Sequence, residues 1–240
     1  MGMIHNTDRL IHMNKATVVA FLKKNQDSRG IEHWQKLNKG ELKSYGIGLT
    51  ILRKYAKTIG RDAKLAKSLW NSNCYEMKII SILIDDPKTM TVEQAETQVE
   101  QLEGGYLVHV FSSCNAPLAK TPFVVELADE WIKSDDTVRR QCGYGLLYEI
   151  SKSKKKNAPD EAYFLAHVAE IDKKRKQAST PILMSMAGSL MGIGMRTKKL
   201  NKEALKVARA IGPITHSESC DPFDVAKHLT SDYAKQKLGL

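Results

Sequence analysis

The sequence has 240 residues, of which 42% are hydrophobic but only 7% aromatic. That balance excludes a wholly disordered chain and favours aliphatic helix packing over an aromatic-rich β-sandwich. Lys and Arg outnumber Asp and Glu by 37 to 27, a formal charge of +10, whose field attracts polyanions across a Debye length of about 10 Å.

Helical signals run from end to end. Ile11, Val18, Val19 and Leu22 give an apolar stripe before Asn25, and Ile31, Trp34 and Leu37 a shorter one ending at Gly40. After Gly46 and Gly48, the periodicity predicts a helix with Leu49, Leu52, Ala56 and Ile59, stopped by Gly60. Asp62 caps the next, which carries Leu65, Leu69 and Trp70. Ser72 or Asn73 opens a buried helix ended by Pro87, and Thr91 with Gln94 reads as a capping box. The run "GGYLVHVFSS" from Gly104 contains no carboxylate, lysine or arginine, and its Tyr106–Phe111 portion fits a helix or a short strand, as does Ile79–Ile84. Further helices are expected from Pro122, from Asp135 or Asp136 through Ile150, and over Asp160–Ile171, Ser179–Met195, Leu200–Ile211 and Pro222–Leu238.

Cys74, Cys114, Cys142 and Cys220 form no C-x-x-C pair and have no zinc-site spacing, so reduced thiols and a cytoplasmic location are expected. Neither a metal nor a cofactor is expected: His216, Asp221, Asp224 and His228 match no metal-site spacing, and Asp221-Pro222 reads first as a helix cap and first helical residue. The small residues of "MAGSLMGIGM" read as helix-packing contacts, since the segment has neither a dinucleotide fingerprint nor a P-loop lysine. The opening "MGMIHNTDRL" lacks an apolar targeting core, and Pro181–Met195 is too short and too rich in Ser and Gly to cross a bilayer.

Two segments align without gaps. "LAKSLWNSNCYEMKIISILI" from Leu65 and "LADEWIKSDDTVRRQCGYGLL" from Leu127 pair Ser72 with Ser134, Asn73 with Asp135, and Lys78 with Arg140. Each reads as helix, turn, cap and inner helix. Such a pair cannot bury its own apolar face, so the expected fold is all-α, an α-solenoid superhelix of repeated helical pairs, as a single domain over 1–240. Lysines after a helix complement its negative C-terminal end, which accounts for Lys152, Lys154, Lys155 and Lys156. Arg139 and Arg140 stand in a first turn, where positive charge opposes the dipole. Either Asp135 and Asp136 offset them locally, or they bind phosphate, for which the guanidinium fork is suited.

The segments "SYGIGLTILRKYAKTIGRDAKLAKSLWNSNCYEMKIISILI", "DEWIKSDDTVRRQCGYGLL" and "AGSLMGIGMRTKKLNKEALKVARAIG" resemble the AlkD-type family of DNA alkylation-repair glycosylases, over about residues 28–212. The resemblance implies a HEAT-like repeat fold, double-stranded DNA as partner through its phosphate backbone, and release of cationic alkylpurines. It also implies a site of a tryptophan, an aspartate four residues later, a second tryptophan and a phosphate-binding arginine. In that frame the first tryptophan falls on Tyr106, the aspartate on Val110, the second tryptophan on Ser189 and the arginine on Arg140.

A valine cannot stabilise a cationic sugar, so the catalytic candidates left are Tyr106, Glu103 and His109, and the DNA-binding candidates are Lys78, Tyr106, Arg139 and Arg140. Cys114 near His109 suggests a thiol nucleophile without a visible third partner. Three readings stand: a DNA-binding family member whose glycosylase chemistry is weakened or absent, an active alkylpurine glycosylase with a differently placed carboxylate, and a scaffold whose groove binds an acidic protein partner.

Overall fold

The computed structural model describes residues 13–37, 40, 42–215 and 221–240; Ile11, His216 and Cys220 lie outside them. The described residues form fourteen α-helices and two isolated β-bridges but no strand. None of these helices is long and apolar enough to cross a membrane. The chain divides into two compact units, Met1–Asp86 and Pro87–Leu240.

The first unit holds α1 (Lys15–Lys24), α2 (Ser28–Leu37), α3 (Leu49–Ile59), α4 (Ala63–Trp70) and α5 (Tyr75–Ile84). Local chemistry sets their ends. Asn14 caps α1 by accepting from the Thr17 amide at 3.0 Å while the Thr17 hydroxyl accepts from the Asn14 amide at 2.8 Å. Asp62 accepts from the Leu65 amide at 2.9 Å to open α4, and α3 stops at Gly60, whose φ of +80° suits glycine. α5 is buried on nearly every face, with Ile79, Ile80 and Ile84 fully enclosed. α2 differs from its expected role. It buries no side chain completely, its Leu37 is exposed, and Trp34 ties back to the chain by donating to the Leu42 carbonyl at 2.9 Å. Gly46, at φ +72°, crosses so close to Gly30 that a Cβ on either would fall inside the other's backbone.

The second unit holds α6 (Val92–Val99), α7 (Leu107–Ser112), α8 (Val124–Lys133), α9 (Thr137–Lys152), α10 (Glu161–Lys174), α11 (Thr180–Gly194), α12 (Lys198–Ile211), α13 (Val225–Leu229) and α14 (Asp232–Leu238). Both segments left open between helix and strand are helical: Ile79–Ile84 within α5, which is buried on nearly every face, and Leu107–Phe111 within α7, where Leu107, Val110 and Phe111 are buried and His109 is exposed. The expected helix Pro222–Leu238 is two short ones. Phe223 exchanges backbone hydrogen bonds with Ile214 at 2.9 and 3.0 Å, and Asp224, not Asp221, caps the helix that follows. A second break at Thr230 and Ser231 follows because Ser231 caps α14.

The gapless pairing of the two segments holds at the level of elements. α4 packs on α5 and α8 on α9, and the paired residues Tyr75 and Thr137 each begin the second helix. α11 then packs along α9 as α9 does along α8. Gly192 permits that approach: a Cβ there would lie 2.3 Å from the Ser151 hydroxyl and 2.7 Å from the Tyr148 ring. "MAGSLMGIGM" is therefore helix-packing sequence at Gly192, and at Gly194 where Leu229 closes in.

Candidate nucleic-acid interface

The N-terminus of α9 is fixed by Asp136, whose carboxylate accepts from the Arg139 amide at 2.7 Å. The two arginines that follow have different surroundings. Arg139 pairs with Glu96 and, at 2.6 Å, with Glu100; Glu96 also accepts from the Trp131 indole at 2.6 Å. Its charge is answered within the protein. Arg140 donates from Nε to the Ser134 carbonyl at 2.8 Å and lies 3.8 Å from Asp135, whose side chain is fully exposed. The Arg140 side chain retains 28% of its exposure and lines a recess of about 250 Å³ together with Lys133, Lys174 and Gln177. Lys174 is held by Glu170 at 2.9 Å on the surface, a contact that water weakens. One turn further along α9, burial pushes the Tyr144 hydroxyl up to about 12 against the opposing pull of Arg140.

A structural reason for a cation in this first turn is now visible. Arg140 reaches back to a carbonyl at the end of α8, and its repeat partner Lys78 does the same at the end of α4, donating to the Trp70 carbonyl at 3.1 Å. The last carbonyls of a helix lack intrahelical donors and carry the negative end of the dipole, so each cation relieves the preceding helix more than it disturbs its own. The device recurs: Arg61 donates to the Leu83 and Asp85 carbonyls ending α5, Arg196 to Ser151 and Ser153 ending α9, and Arg175 to Ala210 in the last turn of α12. Lys78 is only 7% exposed, with its ammonium 4.1 Å from the Trp70 ring. The Arg140 side chain, by contrast, stays partly open to solvent.

The "GGYLVHVFSS" run is exposed at its start and buried at its end. Gly104 and Gly105 take φ of +75° and +54°, separating exposed Glu103 from Tyr106, which is 58% exposed at the cap position of α7. Leu107 and Val110 are fully buried and Phe111 nearly so. Ser189 is also fully buried, donating to the Tyr144 carbonyl at 2.7 Å. His109 is exposed and its Nε2 lies 2.7 Å from Cys114 Sγ. Cys74 and Cys142 are different in kind, since burial pushes their thiols up to about 11 and about 12 and keeps them protonated.

The structure thus brings Arg139 and Arg140 together, keeps Glu103, Tyr106 and His109 around α7, and leaves Lys78 in the other unit. Lys133 and Gln177 were not singled out in the sequence, although Lys174 belongs to a visible basic run.

A solved structure described as a new family of proteins related to the HEAT-like repeat DNA glycosylases with affinity for branched DNA structures is similar in fold, with a TM-score of 0.76 at 17% identity. The similarity covers 95% of this chain and 97% of that one. No curated protein matches the sequence. The all-α architecture is accordingly a HEAT-like repeat fold, and through a match over residues 18–209 the chain belongs to the family described as DNA alkylation repair enzyme.

Proposed function

We propose that this chain is a DNA-binding member of its family that grips the phosphate backbone around Arg140 and lacks the carboxylate-assisted base release expected of active relatives. The observation that carries the first half is the recess at the start of α9, where a partly exposed arginine stands beside Lys133 and Lys174. A guanidinium already fixed through Nε presents its remaining donors in a set plane, which suits two phosphate oxygens. The second half rests on burial. Val110 and Ser189, where the resemblance puts an aspartate and a tryptophan, are sealed in the core, and Glu103 is parted from Tyr106 by two left-handed glycines. The solved neighbour's affinity for branched DNA makes a four-way junction the natural companion to plain duplex in any assay.

Fluorescence anisotropy across a salt series tests the contact. Arg140→Ala weakens duplex binding and lowers the slope of log K against log salt by about 0.9, the signature of one phosphate lost. An unchanged slope removes Arg140 from the interface. Arg139→Ala behaves oppositely: it leaves the slope in place but costs about 2 kcal/mol of stability, because Glu96 and Glu100 lose their shared partner. Thermal melts beside the binding curves read both effects. A parent protein that binds an acidic peptide but no DNA establishes the scaffold reading instead, and robust release of 7-methylguanine or 3-methyladenine by the parent establishes the active enzyme.

A further inference from the structure

A cavity of about 640 Å³ lies in the second unit at the C-terminal ends of α9 and α11, bordered by α14. Its volume falls within the range of about 300–1,000 Å³ typical of small-ligand sites. Two tyrosines, Tyr148 and Tyr233, line it with Lys152, Lys154, Arg196 and Lys237, and no carboxylate is among its described lining residues. Tyr233 is 67% exposed, which leaves its ring open to a ligand in the cavity. The cations divide by their duties. Arg196 neutralises the carbonyl end of α9, removing the negative dipole that would repel an anion there, and Lys152 pairs with Glu149 at 2.8 Å while sitting over the Tyr148 ring at 4.7 Å. Lys154 and Lys237 are exposed and form no ion pair among the described residues.

The cavity and the Arg140 recess share two helices. Along α9, Arg140 and Ser151 are eleven residues apart, so at 3.6 residues per turn they point the same way, about 17 Å apart along the axis. Along α11, Met186 borders the recess, and Met191 and Met195 border the cavity. At about 3.4 Å per nucleotide of duplex, 17 Å is roughly five base pairs.

We infer that this cavity receives an unpaired nucleotide of DNA whose duplex part is held at Arg140, the base stacking on Tyr233 and its phosphates meeting Lys154 and Lys237. The inference rests on the DNA-binding reading above but concerns a separate set of residues. Aromatic faces accept any base, and cations beside them follow the backbone, so the site selects unpaired structure and not sequence. It gives a physical basis for preferring frayed or branched DNA over an intact helix.

The test compares a blunt duplex with the same duplex carrying a short unpaired tail, by anisotropy, using the full chain. The parent binds the tailed duplex more tightly. Tyr233→Ala with Lys237→Ala, both exposed and remote from Arg140, removes about tenfold in affinity for the tailed duplex and leaves the blunt duplex within about twofold. Lys154→Glu gives the same pattern, and thermal melts confirm that each variant is folded. Equal binding of the two duplexes by the parent, or equal weakening of both by the variants, overturns the inference while leaving the Arg140 interface intact. Displacement of the tail by an acidic peptide as effectively as by single-stranded DNA overturns it in favour of a peptide site. A parent that binds no blunt duplex overturns the reading on which it rests.

Discussion

Val110→Asp destabilises the fold before any effect on base release can be read. Val110 has no exposure to solvent, and its helix, α7, is only one and a half turns long, held by the burial of Leu107, Val110 and Phe111 against the second unit's core. Phe111 in turn lies 6.1 Å from the Trp131 ring, so a disturbance here reaches α8. An ionised carboxylate in that position has no partner and costs several kcal/mol, in a fold whose total stability is about 5–15 kcal/mol. For a chain of this size each kcal/mol is about 2–4 °C, so the melting temperature falls by about 10 °C or more. Acid distinguishes charge from shape. Burial raises the pKa of the introduced carboxyl above the unfolded value of about 4, so the penalty is full at neutral pH and fades as pH falls through the raised pKa. The gap between variant and parent melting temperatures therefore narrows on acidification, whereas for Val110→Asn it stays constant. Melts by circular dichroism at neutral and acid pH, with release assays on 7-methylguanine DNA, decide the matter. A variant that melts within a degree or two of the parent and releases base would show that the position faces the DNA after all.

How much of this was legible in the sequence depends on the range of the forces involved. Asp62, Thr91, Asp136 and Asp160 each cap the helix they precede, because a cap is decided within four residues. The shared start of α5 and α9 was visible for a related reason: a repeat places equivalent residues at equivalent positions. The division of Pro222–Leu238 was not visible, since no Gly or Pro marks the break at Thr230 and Ser231. Nor could the sequence tell Arg139 from Arg140. They are neighbours at one helix start, and what separates their roles is a pair of glutamates about forty residues upstream, Glu96 on α6 and Glu100 just past its end. The same is true of Lys78 and Arg140, which align in the repeat and both reach the preceding helix's carbonyls, yet only one remains open to solvent. The tyrosine-lined cavity draws on α9, α11 and α14, so no local pattern announces it.

Glu76 is the carboxylate with the greatest expected effect on the stability of the first unit. It sits in the first turn of α5 with no exposure, where the helix's positive end favours it. Its oxygens accept from the Ser44 hydroxyl at 2.7 Å, the Tyr45 amide at 3.0 Å and the Ile47 amide at 3.2 Å, with the Cys74 thiol at 3.6 Å. One side chain thus holds the whole Ser44–Ile47 turn, including Gly46 where it crosses Gly30. Glu76→Ala leaves two enclosed amides without an acceptor and removes the anchor of that turn, at a cost of about 3–5 kcal/mol. The melting temperature drops by about 10 °C, and the Tyr45 and Ile47 amides exchange with solvent far faster in hydrogen-exchange measurements on the still-folded variant. Glu76→Gln keeps the shape but turns a donor toward donors, so it recovers only part of the loss. Exposed Glu103→Ala stays within about 0.5 kcal/mol of the parent. If Glu76→Ala melted with the parent and both amides kept their protection, the turn would be held by its backbone and by the Gly30–Gly46 crossing alone.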